Sequence, residues 1–441
     1  MNFQDLGLAE PLVRALHAKG YDQPTPIQRD AIPHLLQGRD LLGIAQTGTG
    51  KTAAFVLPSI QRLSAAPKRT LPTHCRMLVL APTRELASQI AEQARLYGKF
   101  QRLSVVTVFG GTSVNKDRQN VRPGVDILVA TPGRLLDLID QQALSLAQLE
   151  ILVLDEADQM LDLGFIHALK RIVRMLPKQR QSLFFSATMP PAIRQLADQF
   201  LDQPVTVSVV PAATTAERVD QYVTFVNQTE KQALLTLTLA DPAIDRALVF
   251  TRTKHGADRV VKLLAGNGVR ANAIHGNKSQ GQRERALGEF KSGEVKILVA
   301  TDIAARGIDV SGVSHVVNFE LPNVPEQYVH RIGRTARAGN SGIAIAFCAE
   351  DERPYLKDIE KLTRQKLTVQ PLPADFLRQA DRIKAERVKA VGADPLPREE
   401  RPRGPRPPAR PRATHQPVPT NQARRRRGGR GRGGPRAAAG A

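Results

Sequence analysis

The chain has 441 residues, 41% hydrophobic and 24% charged, and carries a formal charge of +21. That length is too great for one ordinary core, the composition suits a soluble globular protein of two domains, and the charge excess points to a polyanionic partner. Met1-Asn2-Phe3-Gln4-Asp5 lacks the order of a signal peptide, no apolar run approaches the ~20 residues that cross a bilayer, and Cys75 and Cys348 have no metal-ligand spacing, so a soluble cytoplasmic protein with reduced core thiols is expected.

In chain order, predicted strands fall at 41–45, 77–81, 105–109, 127–130, 151–154 and 182–185. Helical patterns separate them. Continuous apolar runs of this kind belong to parallel sheets covered by helices on both faces. A second series follows at 222–226, 247–250, 296–300, 315–319 and 343–347. The fold class is therefore α/β, with two doubly wound parallel-sheet lobes. Pro204, Pro211 and the run Ala212-Ala213-Thr214-Thr215-Ala216 break the periodicity, so 205–217 reads as a linker between lobes at 1–204 and 218–368. Residues 369–441 form a C-terminal extension in which helical patterns weaken, and order is expected to end at about 390. Residues 401–441 hold twelve arginines and no acid among Pro, Gly and Ala; without those twelve charges, +21 falls to +9. Such a segment cannot bury a core and is expected to be disordered.

Ala45-Gln46-Thr47-Gly48-Thr49-Gly50-Lys51-Thr52 follows the first strand and opens a helix. It departs from the strict phosphate-loop pattern only at Ala45. The glycines let backbone N–H groups wrap phosphates, Lys51 reaches the β and γ oxygens, and Thr52 offers its hydroxyl to Mg²⁺. ATP or GTP binding follows. The strand at 151–154 runs straight into Asp155-Glu156-Ala157-Asp158, which puts carboxylates at the ligand-binding edge of a parallel sheet. Asp155 is the candidate Mg²⁺ ligand and Glu156 the group that positions or deprotonates the attacking water.

The spelling Asp-Glu-Ala-Asp names the DEAD-box RNA helicases, and roughly residues 1–365 resemble that family, in wording nearest its bacterial RhlE-type branch. The other motifs appear in the family's order. The resemblance implies tandem RecA-like lobes of the P-loop NTPase type, with ATP between them and single-stranded RNA across both. Residues 20–28 look like the adenine-reading segment, which implies base-side roles for Tyr21, Thr25 and Gln28, with Phe3 as the upstream aromatic. The motifs at 82–87, 110–111 and 131–134 imply RNA contacts by Pro82, Thr83, Arg84, Gly111, Thr131, Gly133 and Arg134. Ser186-Ala187-Thr188 resembles the motif that couples the lobes. In the second lobe, the resemblance implies RNA contacts by Arg252, Gly276, Gln280, Arg283 and Thr301, and nucleotide contacts by Gly307 and Asp309. His330, Arg334 and Arg337 belong to its last motif, the two arginines as fingers that reach a γ-phosphate on closure. Ala336 stands where many relatives carry Gly.

The residue types carry a physical reading of their own. An amide such as Gln28 can both donate to and accept from an adenine edge. A lone N-terminal Phe is ordinarily packing, and only the resemblance turns Phe3 toward a base. Pro-Thr-Arg-Glu-Leu-Ala is ordinarily a capped helix start, and an arginine every third residue is ordinarily a solvated stripe. Arg424-Arg425-Arg426-Arg427-Gly428-Gly429-Arg430 would track a nucleic-acid backbone by charge or merely solubilise the chain. The expected protein is a monomeric ATP-dependent RNA helicase acting on single strands and short duplexes. Ribosome assembly and mRNA turnover are candidate settings. The rivals are a DNA-translocating helicase and an RNA clamp that uses ATP without unwinding.

Overall fold

The computed structural model describes residues 2–46, 48–209, 219–305, 312–336 and 342–383. Its first half runs α1 Glu10–His17, α2 Pro26–Leu36, β1 Leu41–Ile44, α3 Lys51–Ala65, β2 Cys75–Leu80, α4 Arg84–Tyr97, β3 Val105–Val108 and α5 Val114–Val121. There follow β4 Val125–Ala130, α6 Pro132–Asp140, β5 Ile151–Leu154, α7 Ala157–Asp162, α8 Ile166–Val173, β6 Gln181–Ser186, α9 Pro191–Phe200 and β7 Val205–Ser208. The strands form one parallel sheet in the order β3-β4-β2-β5-β6-β1-β7. Their apolar runs are continuous because both faces are covered. Met77 and Val79 of β2 join one core layer with α2, α3 and α4, while Leu78 and Leu80 join another with α6, α8 and α9.

The second half contains β8 Val219–Phe225, α10 Lys231–Thr238, β9 Ala247–Thr251, α11 Lys254–Ala265, β10 Asn272–Ile274, α12 Gln280–Ser292 and β11 Ile297–Thr301. It continues through α13 Asp302–Ala305, β12 His315–Asn318, α14 Pro325–Ile332, β13 Gly342–Cys348, α15 Arg353–Thr363 and β14 Thr368–Val369. Its order, β10-β11-β9-β12-β13-β8-β14, repeats the first sheet's connectivity strand for strand. Both sheets lie in one unit, Met1–Ala393. The pair is therefore two tandem RecA-like lobes, as the patterning suggested.

Two boundaries move. The linker expected from 205 cannot start there, because Val205–Ser208 pairs in parallel with Leu41–Ile44 as the edge strand of the first sheet. The second lobe also passes 368. β14 pairs with β8, and Phe376 and Ala380 are buried in the second lobe's core. The rest of the expected linker, 210–217, and the tail expected to be disordered from about 390 lie outside the described residues. Cys75 and Cys348 are free and buried. No helix among the described residues is long and apolar enough to cross a membrane.

Candidate ATP and RNA site

The motif loops of the first lobe leave the C-terminal ends of β1, β2, β4, β5 and β6, and so share one edge of the sheet. After β1, the chain turns at Gly48 and Gly50, whose φ angles of 87° and 94° favour glycine. A Cβ on Gly50 would sit 2.5 Å from the Gln28 amide nitrogen. Gln28, buried at the start of α2, donates from Nε2 to the Gly50 carbonyl at 3.0 Å and accepts from the Thr25 N–H at 2.9 Å. One N–H and one lone pair of that amide remain for a base. Gln28 thus ties the base-side segment to the phosphate loop. Tyr21 is 46% exposed, but Phe3 is 3% exposed inside the first lobe's core. The stacking role expected for Phe3 gives way to packing, since its ring faces protein.

Lys51 begins α3 and is buried, with Nζ 3.9 Å from Asp155 Oδ1. Neither atom makes a hydrogen bond within the protein. A buried ammonium and carboxylate left this way are costly unless a polar ligand completes them. Phosphate oxygens on Lys51 and a divalent cation on Asp155 would supply what both lack. Burial raises the Asp155 carboxyl to about 6 despite the pull of Lys51, and Glu156 pushes in the same direction. Among the described residues no cluster of three or more His, Cys, Asp or Glu could hold a metal ion without a ligand's help.

Glu156 sits between β5 and α7 with φ 54°, a left-handed conformation unusual for a side-chain-bearing residue, and is 2% exposed. It lines a cavity of about 90 Å³ with Gln46, Gln159, Ala187 and Thr188 of the first lobe and Val329, His330, Gly333 and Arg334 of the second. The two lobes therefore meet at the candidate catalytic carboxylate. Asp158, absent from the expected site, organises the neighbouring motif: its Oδ2 accepts from the Ala187 and Thr188 N–H groups and the Thr188 hydroxyl at 2.9–3.1 Å. Ser186 Oγ donates to the Thr188 carbonyl at 2.7 Å. Thr188 thus ties its motif to the acidic one directly, and Ser186 does so through Thr188. Thr47, Gly307, Asp309 and Arg337 lie outside the described residues.

The expected RNA contacts divide. Thr83 caps α4, accepting from the Leu86 N–H, and the Arg84 guanidinium lies against Gly110 and Gly111. A Cβ on Gly111 would overlap it at 2.1 Å, so the paired glycines make room for an arginine. Burial and the neighbouring Arg283 guanidinium lower the Arg84 pKa. Pro82 and Thr131 are buried, while Gly111, Gly133 and Gly276 are exposed, and Arg252 and Thr301 are partly so. Gln280 donates to Glu284 at 2.9 Å.

Two arginines depart from expectation. Arg134, 8% exposed, is spent on the Asp117 carboxylate, the Thr112 carbonyl at 3.1 Å and the Thr112 hydroxyl at 3.2 Å. It is a brace for the loop after Gly111 and not an open RNA contact. Arg283 is likewise 8% exposed, and Nε donates across the lobes to Glu85 Oε1 at 2.7 Å, with Nη2 2.6 Å from the same oxygen. The expected RNA contact is an interlobe ion pair. Arg331, first of the arginine series, is also internal: it donates to Asp302 at 2.6 and 2.8 Å, to Asn318 at 2.9 Å and to the Glu320 carbonyl. Glu85, Asp117 and Asp158 were in plain view as acids near motif residues, but nothing in their spacing says which cation or N–H each would meet.

Comparison with known proteins agrees with this geometry. The DEAD/DEAH box helicase profile matches residues 25–196, and the helicase conserved C-terminal domain matches residues 229–339. The chain is 41% identical over 391 residues to the DEAD-box ATP-dependent RNA helicase CshA of Bacillus thuringiensis, covering 88% of this chain and 73% of that protein. It is 45% identical to the CshA of Streptococcus pneumoniae over 367 residues, 83% of this chain and 69% of that one. Saccharomyces cerevisiae Dbp5 bound to RNA and ADP BeF3 superposes with a TM-score of 0.76 at 33% identity, over 87% of this chain and 99% of that one. Mss116p bound to single-stranded RNA and AMP-PNP gives 0.77 at 26% identity, over 89% and 82%. On its motifs, its two lobes and these relatives, the chain belongs to the DEAD-box ATP-dependent RNA helicase family.

Proposed function

We propose that the protein hydrolyses ATP when single-stranded RNA draws the two lobes together, and that this closure separates short RNA duplexes. Its activity is that of an RNA-dependent ATPase and RNA helicase. The observation that carries the mechanism is the placement of second-lobe His330 and Arg334 against first-lobe Glu156 in one cavity. An active site assembled from both lobes is complete only when they meet.

Gln28, Tyr21 and Thr25 take the base side, and the loop from Thr47 to Thr52 takes the phosphates. Asp155 and Thr52 would hold Mg²⁺, which would supply positive charge beside the phosphates. Glu156 orients the attacking water and receives its proton, and Arg334 and Arg337 steady the γ-phosphoryl group. Exposed backbone at Gly111, Gly133 and Gly276, with Thr83, Arg84, Arg252 and Thr301, grips phosphate and sugar without reading bases. The arginines at 401–441 add backbone contacts.

A monomer working in the cytoplasm on ribosomal RNA or decaying mRNA fits this chemistry. The RhlE-like placement rests on motif wording alone, and the relatives named above are CshA proteins. The test compares strand release from a short RNA duplex with ATP and with a non-hydrolysable analogue, in the natural protein and in Glu156→Gln. Multiple-turnover release is expected only with ATP and Glu156. The variant should bind ATP and RNA while its turnover falls by about 10²–10⁴. A variant that turns over normally removes Glu156 from this role, and equal release with both nucleotides would leave an ATP-dependent clamp.

A further inference from the structure

Asp258 lies on the second turn of α11, its side chain 48% exposed, and is not one of the expected site residues. Its Oδ1 nevertheless meets two groups of one short turn: His275 Nε2 at 2.9 Å and Lys278 Nζ at 2.8 Å. His275 closes β10 and is 1% exposed. Its Nδ1 accepts from the Asn277 N–H at 3.3 Å, and Nε2, which makes no aligned hydrogen bond, lies beside the Asp258 carboxylate. The His275 carbonyl accepts from the Lys278 N–H at 3.0 Å and from Arg283 Nη1 at 3.2 Å. Ser279 then caps α12 through a reciprocal pair with Gln282. Arg283 is therefore fixed from two sides, by the His275 carbonyl within its own lobe and by Glu85 in the other.

We infer that Asp258 is a positioning residue for lobe closure, holding the His275 turn so that Arg283 meets Glu85. The inference rests on the reading that closure drives hydrolysis. A guanidinium whose N–H groups answer a carbonyl on one side and a carboxylate on the other tolerates little displacement of either. The turn between them has Gly276 exposed at its tip, and its side-chain ties run to α11, through Asp258 and through Lys254, which donates to Asn277 at 3.0 Å. Without the carboxylate, His275 and Lys278 lose the negative charge that both approach, and the carbonyl on Arg283 loses its anchor.

The experiment uses the full chain and a double-mutant cycle on Asp258→Ala and Glu85→Gln. Half-saturating RNA and RNA-stimulated turnover are read alongside ATP affinity without RNA. Alanine is a good helix former at a half-exposed site, so the fold should hold. Asp258→Ala is expected to raise half-saturating RNA on the order of three- to tenfold, leave RNA-free ATP affinity unchanged, and add nothing once Glu85 is Gln. Asp258→Asn keeps an oxygen beside His275 and Lys278 while losing the charge, and should recover part of the loss. Additive effects, or an Asp258→Ala protein that responds to RNA normally while Glu85→Gln does not, would overturn the role of Asp258 and leave the ion pair standing. An unaffected Glu85→Gln would overturn the ion pair's part in closure and the inference with it. Unstimulated Glu156 chemistry in the unsubstituted chain would instead count against the functional reading itself.

Discussion

At the scale of single residues, a motif fixes the backbone around it, whereas a side chain's partner can lie far along the chain. Lys51 opens the helix after β1 and Asp155 and Glu156 follow β5, and the fold brings them together because these strand ends share one edge of the parallel sheet. Arg134 and Arg252 look equally available in sequence. Asp117, seventeen positions before Arg134 and in another helix, makes one of them internal. A buried guanidinium–carboxylate pair is worth little against an apolar substitute, but breaking it leaves an uncompensated buried charge. Arg134→Ala is therefore expected to destabilise the first lobe by about 3–5 kcal/mol, with much of that recovered when Asp117→Ala is added. Denaturant unfolding of the two variants checks this. Should the single variant unfold like the natural protein while RNA affinity drops, Arg134 would be an RNA contact after all. Ala336 shows the converse case. Its φ of 53° explains why a glycine is at home there, which the motif comparison flagged without a physical reason.

At the scale of elements, eleven of the fourteen strands among the described residues correspond to apolar runs in the sequence, because burial on both faces writes itself as an unbroken apolar string. The others carry weak signals. β7 alternates Val205-Thr206-Val207-Ser208 at the sheet edge, β10 has three residues and β14 two. Short edge strands of this kind are set by their neighbours more than by their own composition. The far end of the first sheet has a motif-free anchor of its own. Arg76 of β2, 1% exposed, donates to Glu150 just before β5 at 2.7 Å, and Lys68 reaches the same carboxylate at 2.8 Å. Burial alone would raise the Glu150 pKa, but these two cations outweigh it and hold it below 4.5. A depressed carboxylate pKa gives stability that is present above the unfolded value and is lost as pH falls through the folded one. The natural protein should therefore lose thermal stability below pH 4.5, whereas Glu150→Gln should be less stable at pH 7 and shed less on acidification. Parallel melting curves across that range would refute the assignment.

At the scale of the whole molecule, the repeated strand order gives both lobes the same edge to offer, and function lies in setting one edge against the other. The proposed part of the basic C-terminal segment, added RNA contact by charge, is open to test. Truncation after Glu400 removes twelve arginines, should leave RNA-stimulated turnover largely intact, and should lower the salt dependence of RNA affinity by about 0.7 per lost phosphate contact. An unchanged salt slope would reduce the segment to a solubility device. The sharper test of the two-lobe mechanism is Arg334→Ala. Arg334 is 6% exposed and shares its cavity with Glu156, whereas the groups proposed to hold ATP, Gln28, Lys51 and Thr52, all belong to the first lobe. Nucleotide affinity without RNA should therefore survive the substitution. Turnover at saturating RNA should fall on the order of 10³–10⁵-fold, the usual consequence of removing a finger arginine. Loss of both together would make Arg334 a binding residue of an already complete site. Retention of both would mean that the first lobe hydrolyses ATP alone, and that lobe contact serves RNA without serving chemistry.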